Sequence, residues 1–316
     1  MRKTFSASSS ASISFKEKVC ELYNIFRLRL LEPKGIKKVE RLLDDLEEYS
    51  NKLFLYAGKS IENARILEIG FGARPLRMAL LKSFGAKIKG VDLDVPLLDG
   101  KISEVVKIWK KNGMERAIKS FIRFYLFDLA ERKILSKATE LRGKKLTFSF
   151  SKDDLFICDA SELEFDSHSF DLIISEDVFE HIETNSLVKL IPKMAHWLDP
   201  SGVAFIRPNI YTGICGGHLT EWFPSVVNSD MKRRSEPWEH LRKRRFQPNT
   251  FLNRLSRKDY RSLFSQYFDI LEEEVKHPDL GRKWLTAEIQ EELKDYPYEE
   301  LFSNNVLFVL KPKKIY

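Results

Sequence analysis

The chain has 316 residues and a formal net charge of +7, with 43% hydrophobic and 31% charged residues. That length suffices for one α/β domain with extensions or for about two domains, and the composition excludes collagen-like, coiled-coil and wholly disordered chains. No stretch approaches about 18 uninterrupted apolar residues, which excludes a membrane-spanning helix. Cys20, Cys158 and Cys215 form no CxxC pair and no disulfide framework, which favours a reducing compartment. The basic opening MRKTF has no apolar run behind it, so the expectation is a cytoplasmic protein.

Residues 6–14 are a Ser/Ala-rich tail. Residues 15–31 and 35–56 carry apolar residues at three- and four-residue spacing (Leu42, Leu43, Leu46, Leu53, Phe54), which predicts two amphipathic helices parted at Pro33-Lys34-Gly35. From Arg65 the pattern changes. Residues 65–69 are a short apolar run ending at Gly70, residues 75–84 have helical spacing, and residues 88–91 form a second short strand ending at Asp92. This is a βαβ unit. An interruption follows at 95–150, with a long predicted helix over 114–139 that places Ile118, Phe121, Ile122, Tyr125, Leu126 and Leu129 on one face. Further strands are expected at 154–158, 170–175, 202–207, 268–275 and 305–310, and helices at 184–198 and 256–267. Residues 208–255, which hold Pro, Gly, aromatic and basic residues, read as more loop than core. Seven strands alternating mostly with helices indicate a three-layer α/β sheet.

Charge is unevenly spread. Residues 101–145 hold 13 Lys or Arg against 5 Asp or Glu, and a second basic run is Lys232-Arg233-Arg234 with Arg242-Lys243-Arg244-Arg245. Such patches attract nucleic acid, anionic headgroups or phosphorylated substrates, with a solvated helix face as the plain alternative.

Open α/β sheets bind ligands at the carboxyl ends of their strands. The first strand ends in Gly70-Phe71-Gly72, where the backbone can turn sharply and approach a ligand, and Asp92 ends the next strand, where a carboxylate can accept both ribose hydroxyls. A nucleoside-bearing cofactor is expected. A dinucleotide site would want Gly or Ala at position 75, where this chain has Pro75, and that weakens a nicotinamide reading.

The stretches ILEIGFGARPLRMAL, KGVDLD and ICDASELEFDSHSFDLIISEDVFEHIE, within residues 66–183, resemble a class I S-adenosylmethionine-dependent methyltransferase of the type 11-like kind. Arg74 departs from that pattern, standing where the third glycine would be. The resemblance implies a Rossmann-like sandwich with a seven-stranded, mostly parallel sheet whose last strand is antiparallel, plus N-terminal helices and a helical insert. It divides the chain into an extension at 1–60 and a methyltransferase domain at 61–316, with the insert at 95–150 and an acceptor-side loop region at 208–255. It implies S-adenosylmethionine as cofactor, with Gly70 and Gly72 against its amino-acid end. Glu68 would orient that loop or meet the ammonium, and Asp92 would hold the ribose diol. Leu93 would pack beside the adenine, Asp159 would accept from the adenine amino group, and Ala160 would donate its backbone N–H. Glu176 would lie under the loop over the methionine portion. Asp94 could share Asp92's role, and Glu180 and His181 are expected to be structural.

The segments PNIYTGICGGHLTEW and PWEHLR, residues 208–222 and 237–242, resemble bacterial methyltransferases of surface-glycan biosynthesis. Removing a hydroxyl proton calls for a base tuned near neutrality, so His218 and then His240 are the candidate catalytic residues. With Glu221 and His240 near His218 in sequence a divalent metal site is open, but the spacing does not demand one and none is assigned. The expected function is O-methylation of a saccharide or other small hydroxyl acceptor, nucleotide- or lipid-linked, with the basic patches facing an anionic carrier or membrane. RNA methylation is the alternative enzyme, and non-catalytic cofactor binding in a regulatory or scaffolding role is the alternative outside enzymes.

Overall fold

Residues 65–69 are apolar on both faces, as a strand between two helical layers must be. In the computed structural model, which describes residues 36–230, 232–246, 248 and 250–314, they form the central strand β1 (Arg65–Ile69). The chain turns into α2 (Leu76–Ser83) and returns as β2 (Lys87–Asp92), parallel to β1 with Ile66 opposite Ile88. The remaining strands are β3 (Leu155–Ile157), β4 (Phe170–Glu176), β5 (Leu198–Arg207), β6 (Phe268–Val275) and β7 (Val306–Pro312). Their order is β3-β2-β1-β4-β5-β7-β6, and β7 alone runs antiparallel to its neighbours. Strand order reverses between β1 and β4, so a crevice must open beyond their carboxyl ends.

Alternation along the strands divides the core. Ile66, Leu172, Ile174, Val203 and Phe205 face α1 (Ile36–Ala57), whose Leu42, Leu46, Tyr49 and Leu53 cover them. Leu67, Ile173, Ala204, Ile206 and Phe308 face the other way, against α6 (Thr184–Trp197) and α7 (Arg257–Phe264). Three layers result, as expected. The predicted tail and first helix, at 6–14 and 15–31, lie outside the described residues.

Two expectations need correction. The single helix over 114–139 is instead α4 (Met114–Arg123), a π-helical turn (Phe124–Asp128) and α5 (Leu129–Glu140), preceded by α3 (Ile102–Asn112). The wide turn seats Phe124 on Leu97, Ile108 and Ala117 while burying Asp128. It leaves Ile118, Phe121, Ile122, Tyr125, Leu126 and Leu129 exposed. Residues 208–255 hold little regular structure, as expected, but stretches within 208–227 and 235–241 are buried and belong to a core. Trp222, Trp238, Val227 and Leu241 pack with Ile289 of α8 (Ala287–Glu292) and Leu301 of α9 (Tyr298–Leu301) into a separate apolar cluster. Among the described residues no helix is long and apolar enough to cross a membrane.

Asp171, at the start of β4, ties the sheet at its amino end. Its carboxylate accepts from Lys59 Nζ at 2.5 Å, the Arg65 backbone N–H at 2.8 Å and Arg65 Nη2 at 2.7 Å. Burial alone would raise its pKa, but the bonds from Arg65 and Lys59 outweigh burial and hold it at about 2, below the ordinary 3.8. A pKa lower in the folded than in the unfolded chain gives stability that is complete above pH of about 4 and is lost as pH falls toward about 2. Asp171→Asn is expected to cost about 2 kcal/mol at neutral pH. In urea unfolding its deficit against the wild type should shrink as pH falls from about 5 to about 3, and a deficit that stays constant would refute the assignment.

Candidate active site

The turn after β1 requires glycine. Gly70 sits at φ 83° and Gly72 at φ 68°, and a Cβ on Gly70 would lie 2.1 Å from Val178 Cγ2. The Gly72 N–H donates to Asp92 Oδ2 at 2.6 Å and the Asp94 N–H to Oδ1 at 2.7 Å, so the end of β2 holds the turn after β1. Burial raises the Asp92 pKa to about 6 against the opposing pull of the Gly72 amide, Arg116 and the Leu93 amide. Asp94 is itself paired with Arg116.

Gly70, Gly72, Asp92, Leu93, Asp159, Ala160 and Glu176 all line one cavity of about 790 Å³, at the carboxyl ends of the strands where their order reverses. That is ample for a nucleoside-sized ligand. Asp159 accepts from the Ser161 N–H at 2.8 Å and so caps the turn (Ala160–Glu162) that presents Ala160. Leu93 is exposed at the mouth.

Glu68 is not on the cavity wall. It lies beneath the turn, buried, with Arg77 Nη1 of α2 at 3.2 Å. Arg77 also donates to Glu176, and Glu176 accepts from Arg207 at the end of β5. Arg207 reaches on to Asp45 of α1 at 3.1 Å. Burial, partly offset by Arg77, pushes the Glu68 pKa up to about 7, and burial also holds Glu176 well above the carboxylate range. Arg77, Arg207 and Asp45 have no signature in sequence, because each reads as an ordinary charge on a helix or strand end. Arg74 binds Asp128 at 3.2 Å and Glu131 at 3.1 Å, so the residue in the third glycine position anchors the insert to the glycine turn.

The two candidate histidines separate. His240 is buried, its Nε2 2.7 Å from the Tyr211 carbonyl, and its ring packs over Gly217. Burial lowers its pKa to about 4. It lines a second cavity of about 440 Å³ that also holds Arg244, Phe246 and Arg254. Thr250 and Phe251 line both cavities, so the two adjoin. His218 lines neither cavity; its ring lies 4.9 Å from that of His181, which lines the first. Burial, with His181 adding to it, lowers the His218 pKa to about 4, so the ring is neutral at physiological pH. Glu180 and His181 meet His218 here. Glu221 does not join them: it accepts from the Ser235 N–H at 2.6 Å and fastens its own loop. Asp177, His218, Trp238, Arg244 and Arg254 all hold left-handed backbone, strain of the kind that gathers at functional sites.

The second basic run is largely neutralised from within. Arg233 lies between the rings of Trp222 and Trp284, while Arg242, Lys243 and Arg245 pair with Glu292, Glu236 and Glu239. Arg244 and Arg254 have no carboxylate within ion-pair distance among the described residues.

Residues 113–206 match the family described as a methyltransferase domain, a stretch that runs from the insert through β5. No curated protein matches the chain. Among solved structures, it is similar to the PH0226 protein of Pyrococcus horikoshii OT3, at 16% identity, 85% of this chain, 90% of that one and a TM-score of 0.42. It is also similar to an S-adenosylmethionine-dependent methyltransferase of Mesorhizobium loti, at 12% identity, 80% and 92% coverage and a TM-score of 0.40. A third is geranyl diphosphate C-methyltransferase of Streptomyces coelicolor A3(2), solved with Mg2+, geranyl diphosphate and S-adenosyl-L-homocysteine, at 14% identity, 91% and 87% coverage and a TM-score of 0.41. The glycine turn and Asp92 precede the matched residues, and they join the site through the geometry above.

Arg207→Met tests the charged floor of the cavity. It would leave Glu176 with Arg77 alone and Asp45 with no cation, both buried, and is expected to cost about 3–5 kcal/mol. Adding Asp45→Asn should restore part of the loss in urea unfolding, because one uncompensated charge goes with it. No restoration would mean that Arg207 acts through packing.

Proposed function

We propose that this S-adenosylmethionine-dependent methyltransferase methylates a hydroxyl of a phosphate-bearing saccharide or similar small acceptor, nucleotide- or lipid-linked. The observation that carries the reading is the second cavity, which adjoins the cofactor cavity and offers Arg244 and Arg254 without internal carboxylates beside Tyr211 and Phe246. Two unpaired guanidinium groups suit a phosphate, and aromatic walls suit the faces of a sugar ring. The insert supports a lipid-linked form. Its Phe121, Ile122, Tyr125 and Leu126 form an exposed apolar face of the kind that lies on bilayers, while Arg116 and Lys119 beside them are paired with Asp94 and Glu115.

The cofactor residues take the roles their positions support. Gly70 and Gly72 let backbone reach the amino-acid end, Asp92 holds the ribose diol with Leu93 by the adenine, and Asp159 and Ala160 meet the adenine edge. Glu68 and Glu176 act from below, through Arg77 and Arg207. In the transfer the acceptor oxygen bonds to the methyl carbon as the carbon–sulfur bond breaks, the electron pair leaves on S-adenosylhomocysteine, and the hydroxyl proton must be taken up. His240 is committed to the Tyr211 carbonyl, which leaves His218, its ring 4.9 Å from that of His181, as the candidate histidine for that uptake.

S-adenosylhomocysteine at about 100 times its Kd should stabilise the protein by about 2.7 kcal/mol in thermal melting, and NAD should not. Asp92→Ala should remove most of that shift. Stabilisation by NAD and not by S-adenosylhomocysteine would overturn the cofactor assignment.

Arg244→Gln with Arg254→Gln should raise KM for the acceptor roughly tenfold or more and leave kcat and S-adenosylhomocysteine binding nearly unchanged. The acceptor is found by incubating the protein with labelled cofactor and separate glycolipid, nucleotide-sugar and RNA fractions. Label confined to RNA would overturn the saccharide reading.

A further inference from the structure

Glu180 is a buried carboxyl group with no Lys or Arg at ion-pair distance among the described residues. Glu68, Glu176 and Asp45 each meet a guanidinium, but Glu180 meets only Asn209, which donates to Oε1 at 2.6 Å, while its buried Oε2 has no hydrogen-bond partner. Two imidazole nitrogens face Glu180 Oε1: His218 Nε2 at 3.8 Å and His181 Nε2 at 3.9 Å. Both are too far for a hydrogen bond. The ring of His181 is set by its other nitrogen, since Nδ1 lies 2.9 Å from the Phe251 carbonyl and donates to it. That leaves the Nε2 lone pair directed at the carboxylate. Such a backbone acceptor behind a histidine is the outer shell found at metal ligands.

The geometry points to a site for one first-row divalent transition-metal ion, held by Glu180, His181 and His218. The three ligand atoms lie within 4.8 Å of one another. Bonds of about 2.0–2.2 Å at a tetrahedral or octahedral centre separate ligand atoms by roughly 3–3.5 Å, so closure needs side-chain shifts of about 1 Å. Two imidazoles and one carboxylate favour zinc, iron or manganese over magnesium, which prefers oxygen alone. Of the three, His181 lines the first cavity, and its Nδ1 is held by Phe251, which lines both cavities, so the cluster borders the space where the two adjoin. An ion held by these three residues would supply Lewis-acid chemistry, lowering the pKa of an acceptor hydroxyl bound to it. His218 would then be a ligand rather than the base, and the acidified hydroxyl proton would pass to water. Binding of the ion stands on the three side chains, whereas its hold on an acceptor rests on the function proposed above.

The test uses the whole chain, stripped with a chelator and titrated by calorimetry with Mn2+ and with Zn2+, and with Co2+ followed by visible absorption, all without cofactor or acceptor. One equivalent per chain is expected. His181→Gln and His218→Gln, each close to the imidazole in size, should weaken it at least tenfold with the fold intact by circular dichroism. His196→Gln, on α6 outside the cluster, should not. An absence of stoichiometric binding, or binding that survives the double variant His181→Gln/His218→Gln, overturns the site. The S-adenosylhomocysteine melting shift, measured with chelator present, reports the cofactor reading separately, so failure of one does not pass for failure of the other.

Discussion

The cavity floor depends on a buried chain of charge that runs Glu68–Arg77–Glu176–Arg207–Asp45. It joins β1, α2, β4, β5 and α1, the elements that meet where strand order reverses. Each carboxylate taken from water there costs several kcal/mol, and only the guanidinium forks repay it. The arrangement therefore tolerates one geometry. If α1 shifts along the sheet, Asp45 leaves Arg207, and the guanidinium loses one of the two carboxylates that hold it in place. The N-terminal extension is thus a part of the site. It sets where Arg207 stands, and Arg207 with Arg77 sets where Glu176 stands under the cavity.

The sheet and its helices were legible because burial on both faces leaves a pattern of short apolar runs punctuated by Gly and Asp. The glycine turn, Asp92 and Asp159 were legible for the same reason, since a strand end fixes where the next residue points. What failed to show were residues whose meaning is set by distant partners. Asp45 sits in an ordinary amphipathic helix and Arg77 in a short helix beside Lys82, and nothing local distinguishes either from a solvated charge. Glu180 and His218 are 38 positions apart and meet only because the loop after β5 folds back over the end of β4. The 208–255 region misled for a related reason. Its Trp222 and Trp238 pack with α8 and α9 near the other end of the chain, so its core is invisible to any local window.

The insert shows how a departure from a motif can be absorbed. Arg74 in place of glycine adds a long charged side chain at the turn nearest the cofactor cavity. Its guanidinium is taken up by Asp128, fully buried in the π-helical turn, and by Glu131, which also holds Lys38 of α1 at 3.0 Å. The wide turn brings Asp128 inward while Tyr125, Leu126 and Leu129 stay outside. One local widening of a helix thus anchors the insert to the turn and leaves its apolar face available.

Methyl transfer requires three atoms in line, and an enzyme gains most of its advantage by fixing that line before reaction. Two cavities that share Thr250 and Phe251 fix it only if something at their junction is rigid. Asn209 supplies rigidity from one side: its amide donates to both Glu180 and Asp177, while Asn305 of the neighbouring segment also donates to Asp177. The Phe251 carbonyl supplies it from the other by holding His181. The wall between the cavities and the imidazole on it are therefore one assembly, since Phe251, which lines both cavities, also orients His181, which lines the first. A ligand that displaces Phe251 would release the His181 imidazole from its carbonyl partner, so the orientation of His181 on the wall of the first cavity is coupled to what occupies the second.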